Sequence, residues 1–366
     1  MGKKILILTN LDIGLYKFRK ELIEELQSRG NEIYLSLPYG KLVDKLVDKG
    51  CRFIETPIER RGMNPLQDSR IFFQYRKILK QVRPELVIAY TIKPNIYGGI
   101  AARLAGIPYA VNITGLGTAF QKENFIKKMV VQMYKSACKK AKVVFFENEE
   151  NQRVFIENKI VRKEKTCRLN GAGVNLKAYP FTPYPKDDKE VRFLFVGRVM
   201  REKGVDELFE AFEKLKLRYP QVMLDVVGPY EDDYKETVEA LVQKKVINYY
   251  GYQEDVRPFI ERSHCFVLPS YHEGMANTLL EAGAMGRPLI TSDIPGCREA
   301  VSDGESGYLT FSQDGDMLEE KLEQFMRIPF MEKESMGKAS YKRISGIFDK
   351  KLVVEETIKK LTCSID

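Results

Sequence analysis

The chain has 366 residues, 44% of them hydrophobic and 30% charged, with a formal net charge of +8. That profile is ordinary for a globular protein, and the length suits two domains whose core needs neither disulfides nor a structural metal. Six scattered cysteines with no CxxC pair and only two histidines, His264 and His272, exclude a zinc knuckle and any three-histidine site, leave little for a Ser-His-Asp triad, and fit a reducing cytosol.

The opening Met-Gly-Lys-Lys-Ile-Leu-Ile-Leu has an apolar stretch too short for a signal peptide, and Leu6 breaks the myristoylation pattern. No run approaches the roughly 18 apolar residues of a membrane span. Short apolar runs then predict strands at 4–9, 32–37, 53–56, 86–90, 109–113 and 143–147, with helical periods at 18–28 and 70–80 between them. The unbroken apolar character of ILIL, LVIAY and KVVFF suits parallel strands covered on both faces. Residues 122–142 hold seven lysines and one glutamate. Phe125, Met129, Met133 and Ala137 recur every four residues there, beside Ile126, Val130 and Tyr134. That is a basic amphipathic helix, able to lie in a headgroup layer or to pack on a sheet as an ordinary surface helix.

The second half repeats the arrangement, with strands predicted at 191–197, 223–227, 247–250, 265–269, 288–291 and 307–310 and helices at 205–217, 234–244, 275–285 and 316–326. Two βα arrays in series predict two doubly wound α/β domains with parallel sheets, and a ligand cleft between them. The boundary falls in the proline-rich stretch 178–186. The expected division is an N-terminal domain at 1–178, a linker at 179–186, a C-terminal domain at 187–345, and a helix at 346–366 packing back on the first domain.

Charge divides along the same line. Residues 1–180 carry 33 Lys and Arg against 17 Asp and Glu, a net +16, whereas residues 181–366 carry 26 against 34, a net −8. The basic half points to an anionic partner: nucleic acid, a membrane surface or a phosphorylated substrate. Solvated helix faces are the plainer alternative. Zinc-finger spacing, an RNP motif and a Lys/Arg tract are all missing, which argues against nucleic acid.

Two passages carry chemistry. In the segment 269–301 a strand ends at Pro269, and Gly274 precedes a helix in which Glu281 lies about two turns beyond Glu273. A helix N-terminus offers free N–H groups to a diphosphate, and a carboxylate beside it can accept from sugar hydroxyls. The spacing alone also fits a helix cap beside a surface charge. In the segment 196–212, Arg198 follows the strand end at Gly197 and Lys203 precedes the next helix. Two cations there suit a diphosphate leaving group; alone, they could equally be solvated loop cations.

Together these passages resemble the donor site of family-4 glycosyltransferases, which have the two-domain GT-B fold. The family's E-x7-E pattern matches Glu273 through Glu281, and its G-R-x-x-x-x-K-G pattern matches Gly197, Arg198, Lys203 and Gly204. The segment from Asn170 to Asn175, followed by Tyr179, resembles the family's linker signature. The segment 251–256, containing Tyr252, resembles its base-contacting loop. In the first half, Tyr16-Lys17-Phe18-Arg19, Met63-Asn64-Pro65 and Thr114-Gly115-Leu116-Gly117 resemble bacterial transferases that build on undecaprenyl-diphosphate-linked sugars. That subgroup includes N-acetylgalactosaminyl- and galactosyltransferases of glycan and capsule assembly.

The resemblance implies a retaining, metal-independent transferase that needs no cofactor and uses a UDP-sugar as co-substrate. It implies catalytic roles for Glu273, Arg198 and Lys203. Donor contacts would come from Gly14, Gly197, Gly274, Met275, Ala276, Asn277, Thr278, Leu279, Glu281 and Tyr252. The acceptor and membrane side would include Lys17, Arg19, Lys93, Thr114, Lys127, Lys128 and Lys135. The expected acceptor is a polyprenyl-diphosphate-linked sugar at an anionic membrane surface, the inner face of the cytoplasmic membrane. The sequence departs from the family in two places: Thr114 stands where many members place a first-domain histidine, and the first loop carries one glycine, Gly14, rather than a pair. A UDP-sugar 2-epimerase of the same fold and a non-catalytic sugar-nucleotide-binding protein are the alternatives. Three further signals are set aside: Asp314-Gly315-Asp316 is expected to be a turn and helix cap rather than a metal motif, the 115/117 and 171/173 glycine pairs lack a dinucleotide fingerprint, and His272 is expected in a loop.

Overall fold

The computed structural model describes residues 2–58, 65–117, 120, 125–186 and 190–362. Met63 and Asn64, together with the ends of two expected helices at 122–124 and 363–366, lie outside them. The chain forms two compact units, Met1–Ala172 with Lys351–Asp366, and Gly173–Lys350.

The first unit runs β1 (Lys4–Leu8), α1 (Asp12–Ser28), β2 (Glu32–Leu37), α2 (Lys41–Val47), β3 (Arg52–Glu55), α3 (Pro65–Val82), β4 (Leu86–Tyr90), α4 (Gly99–Ala105), β5 (Tyr109–Ile113), α5 (Phe125–Cys138), β6 (Val143–Phe146), α6 (Glu149–Glu157) and β7 (Thr166–Arg168). Its parallel sheet has the order β3-β2-β1-β4-β5-β6-β7. Strand alternation divides β1 between two cores. Ile5 and Ile7 pack with Leu22, Ile23, Val43 and Leu46 from α1 and α2. Leu6 and Leu8 pack with Tyr75, Ala101 and Tyr134 from α3, α4 and α5. Helices on both faces explain why the strand reads as an uninterrupted apolar run; full burial of each such side chain contributes about 1.5–3 kcal/mol.

The second unit runs β8 (Val191–Val196), α7 (Val205–Arg218), β9 (Val222–Val227), α8 (Lys235–Gln243), β10 (Ile247–Tyr249), α9 (Arg257–Arg262), β11 (Cys265–Leu268), α10 (Asn277–Ala284), β12 (Leu289–Ser292), β13 (Gly307–Thr310), α11 (Gly315–Arg327) and α12 (Phe330–Ile347). Its parallel sheet has the order β10-β9-β8-β11-β12-β13. The last helix, α13 (Lys350–Thr362), places Val353, Val354, Ile358 and Leu361 in the β1 and β2 core of the first unit.

Every expected strand is present with ends displaced by at most one residue. The polar three-residue β7 and the short helices α2, α4, α6 and α9 lack the length for a clear period, and α12 was also not anticipated. Helix α1 starts well before residue 18, which puts Gly14 in its first turn rather than in a loop. Asp12 anchors that turn by accepting from the Leu42 amide at 3.1 Å.

Residues 179–186, read as a linker, are fastened within the second unit. Arg287 is fully buried and donates to the carbonyls of Thr182 and Pro183, each at 2.8 Å. The Tyr184 hydroxyl donates to the His264 carbonyl at 2.9 Å. The units divide between Ala172 and Gly173, earlier than the boundary expected at 178.

Candidate active site

Each sheet reverses its strand order at one point, between β1 and β4 and between β8 and β11. In doubly wound folds the loops leaving the strand C-termini at such a point form the ligand site. In the second unit these are the loop from β8 to α7, which carries Arg198 and Lys203, and the loop from β11 to α10, which carries Glu273.

The two loops are joined directly. Lys203 Nζ pairs with Glu273 Oε1, and the two side chains are only 17% and 13% exposed. The Ser270 hydroxyl donates to the same carboxylate oxygen at 2.8 Å, and the Tyr271 amide donates to the Glu202 carbonyl at 2.9 Å. Arg198 pairs with Glu231, beyond β9, at 3.3 Å. Tyr271 donates to both carboxylate oxygens of Glu207 on α7, at 2.7 and 2.8 Å.

Gly204 makes the close approach of the loops feasible. Its φ is +69°, and a Cβ there would stand 2.0 Å from the Pro269 carbonyl oxygen. The left-handed conformation costs a non-glycine residue about 1–2 kcal/mol, and relieving the overlap adds about 1–3 kcal/mol. Gly204→Ala is therefore expected to destabilise the protein by about 2–5 kcal/mol, read as a lowered denaturation midpoint. Gly251→Ala, at φ +61° but with open space around the Cβ position, should lose only the conformational part, about 1–2 kcal/mol. Equal losses in the two variants would remove the steric argument.

Helix α10 starts at Asn277, later than expected, and no side chain caps its N-terminus. Asn277 Oδ1 is buried there without a hydrogen-bond partner. Glu281 lies within α10, next to Tyr179. Burial, together with the charge of Glu281 and a hydrogen bond to it, pushes the Tyr179 hydroxyl well above its ordinary range.

Met275, Ala276 and Leu279 have their side chains in the core, so their expected donor contacts reduce to backbone groups. The Gly197 amide is already donated to the Val227 carbonyl at 3.0 Å. Thr278 is half-buried in the first turn of α10, Gly274 is half-buried in the preceding loop, and Tyr252 is exposed. Sequence reasoning missed Ser270, Glu231 and Glu207, none of which belongs to the matched patterns.

In the first unit, the residues expected on the acceptor side separate. Arg19 pairs with Glu147 at 2.5 Å and lies over the Tyr90 ring at 5.1 Å. Lys93 pairs with the buried Asp68 at 3.0 Å. Both cations thus have an internal carboxylate partner. Thr114 is half-buried just beyond β5, and Lys17 is exposed on α1.

Helix α5 is not amphipathic along its whole length. Val130, Val131, Tyr134, Ala137 and Cys138 pack inward, while Phe125, Ile126 and Met129 are exposed beside the exposed Lys128 and half-buried Lys127. Lys135 sits near the opposite end of α5, away from this group.

The signals set aside have structural explanations. Asp314 caps α11 by accepting from the Met317 amide at 2.8 Å, while Asp316 is exposed. His272 is an exposed loop residue, and the buried His264 accepts from the Arg192 amide at 3.0 Å. Among the described residues, no group of three or more Asp, Glu, His and Cys side chains could hold a metal ion, and no helix is long and apolar enough to cross a membrane.

The fold is that of GT-B glycosyltransferases. The structure of HepE from Anabaena, solved in complex with UDP and glucose, superposes with a TM-score of 0.80 at 17% identity, covering 99% of this chain and all of that one. Residues 4–148 match the family described as glycosyl transferase 4-like, and residues 181–343 match glycosyl transferases group 1. Over 336 residues, 87% of this chain and 88% of the relative, the sequence is 30% identical to the N,N'-diacetylbacillosaminyl-diphospho-undecaprenol alpha-1,3-N-acetylgalactosaminyltransferase of Campylobacter jejuni. It is 29% identical to the UDP-Gal:alpha-D-GlcNAc-diphosphoundecaprenol alpha-1,3-galactosyltransferase of Escherichia coli, across 76% of this chain and 75% of that protein. The chain belongs to the family-4 glycosyltransferases.

Proposed function

We propose that this glycosyltransferase moves a hexose or N-acetylhexosamine, galactose or N-acetylgalactosamine by preference, from a UDP-sugar to a saccharide carried on a polyprenyl diphosphate. The observation that carries the donor half is the Lys203–Glu273 pair joining the two switch-point loops of the second unit. In this reading Glu281, braced by Tyr179, holds the ribose hydroxyls. Arg198, Lys203 and the uncapped start of α10 hold the diphosphate and stabilise it as it leaves. Glu273 holds hydroxyls of the transferred sugar. The acceptor hydroxyl attacks from the face that the diphosphate leaves, retaining the anomeric configuration, and the protein cations take the place of a metal.

The acceptor half is supported by the names of the Campylobacter and Escherichia relatives, both of which act on diphospho-undecaprenol-linked sugars. The exposed Phe125, Ile126 and Met129 beside Lys127 and Lys128 suit shallow insertion at an anionic surface. That arrangement supports peripheral attachment to the inner face of the cytoplasmic membrane.

A thermal-shift series with UDP, GDP and ADP in EDTA tests the donor assignment. UDP at about 100 times its dissociation constant should stabilise the protein by about 2.7 kcal/mol. GDP and ADP should give much smaller shifts. A UDP shift that requires added divalent metal would overturn the metal-independent reading, and equal shifts with all three nucleotides would overturn the choice of UDP.

A further inference from the structure

The first unit has a cationic site remote from its switch point. Helices in a parallel α/β unit run opposite to the strands, so the C-terminal ends of α5 and α6 lie at the N-terminal edge of the sheet. A cavity of about 840 Å³ opens there. Its size is in the range of small-ligand pockets, roughly 300–1,000 Å³. Six cations line it: Lys135, Lys139, Lys159, Arg162, Lys163 and Lys165. Glu164 is the only carboxylate in the lining, and Ile156, Ile160, Val161 and Cys138 supply its apolar part.

None of the six cations has an ion-pair partner among the described residues, although two arginines near them in sequence do. Arg153 pairs with Glu150 at 2.6 Å and Arg168 with Glu149 at 2.6 Å. Cations at helix C-termini commonly offset the partial negative charge of the terminal carbonyls, about half an elementary charge per helix. Two helix ends therefore account for about one positive charge, and the cavity holds many more.

We propose that this cavity binds a phosphate-bearing anion. The ligand is either the headgroup of an anionic phospholipid or a free di- or polyphosphate. The site is separate from Arg19, Lys93 and Thr114, which lie toward the strand C-termini of the same unit. It gives part of the net +16 of residues 1–180 a specific occupant.

The test uses the full chain, the charge-reversed pair Arg162→Glu/Lys163→Glu, and a control pair, Arg70→Glu/Lys77→Glu, with the same change in net charge on the exposed side of α3. Pyrophosphate binding is measured by calorimetry. Vesicle binding is measured by co-sedimentation with phosphatidylcholine vesicles with and without phosphatidylglycerol. Unchanged melting temperatures establish that both variants fold. A loss of at least about tenfold in pyrophosphate affinity, confined to the cavity variant, would identify a free anion. A loss of that size only with phosphatidylglycerol vesicles would identify a headgroup. Equal losses in the two variants, or no loss in either assay, would overturn the proposal. The titrations are made in saturating UDP, which withdraws the proposed donor site from pyrophosphate, and the readout is binding rather than turnover, so the result is independent of the donor assignment.

Discussion

Lys203→Ala should lower the turnover number about 100- to 1,000-fold, equivalent to about 3–4 kcal/mol of transition-state stabilisation. In the proposed reaction, negative charge grows on the departing diphosphate as the bond to the sugar breaks. A cation already fixed in a partly dehydrated loop meets that charge without reorganising. Lys203 is held in this way: its side chain is 17% exposed, its ammonium is paired with Glu273, and its loop is tied to the loop after β11 by the bond from the Tyr271 amide to the Glu202 carbonyl. A group that acts mainly in the transition state lowers kcat and kcat/KM together when it is removed. A rise in KM with unchanged kcat would mean that Lys203 only binds the donor ground state. Turnover near normal would remove it from the mechanism. Arg198 is 38% exposed and shares its charge with Glu231, so Lys203 is the more sensitive probe of the two.

The residues of that argument were legible in the sequence because strand ends and loop spacing carry them. Gly197, Arg198, Lys203 and Gly204 follow one strand, and Glu273 follows another. A parallel sheet brings both sets to the same edge once the strand order is 10-9-8-11-12-13. What could not be read were contacts made across long separations or to backbone groups. Arg287 looks like any loop arginine, yet it is buried and holds the carbonyls of a segment more than a hundred residues away. Arg19 and Lys93, assigned to the acceptor side by resemblance, pair with Glu147 and Asp68, carboxylates too distant in sequence for the pairing to be read.

Helix α5 shows a related limit. Its four-residue period gave the helix correctly but not which stretch of its apolar face would find partners. That depends on where α3, α4 and the sheet end, and these leave the first turn uncovered. Gly14 misled for a simpler reason: a glycine near a strand end suggests a loop, but the chain is already helical from Asp12, whose carboxylate ties that first turn to the start of α2.

Glu273→Gln separates the two halves of the site. The substitution keeps the size of the side chain and an oxygen that can still accept from Ser270, now 2.8 Å away, and from Lys203. It removes the negative charge. Sugar hydroxyls that donate to a carboxylate make charge-assisted hydrogen bonds roughly twice as strong as those to an amide. If these bonds orient the sugar and support positive charge developing at its anomeric carbon, transfer should fall by about 100-fold or more. UDP carries no sugar, so its affinity should not fall with the rate. It should stay level or rise, because Lys203 now lacks the anion that competes with the diphosphate for its charge. The decisive comparison is therefore UDP affinity against turnover in the same variant. A parallel loss of both would place Glu273 in nucleotide binding and leave the sugar hydroxyls to another residue, whereas lost turnover with undiminished UDP affinity would fix it at the transferred sugar.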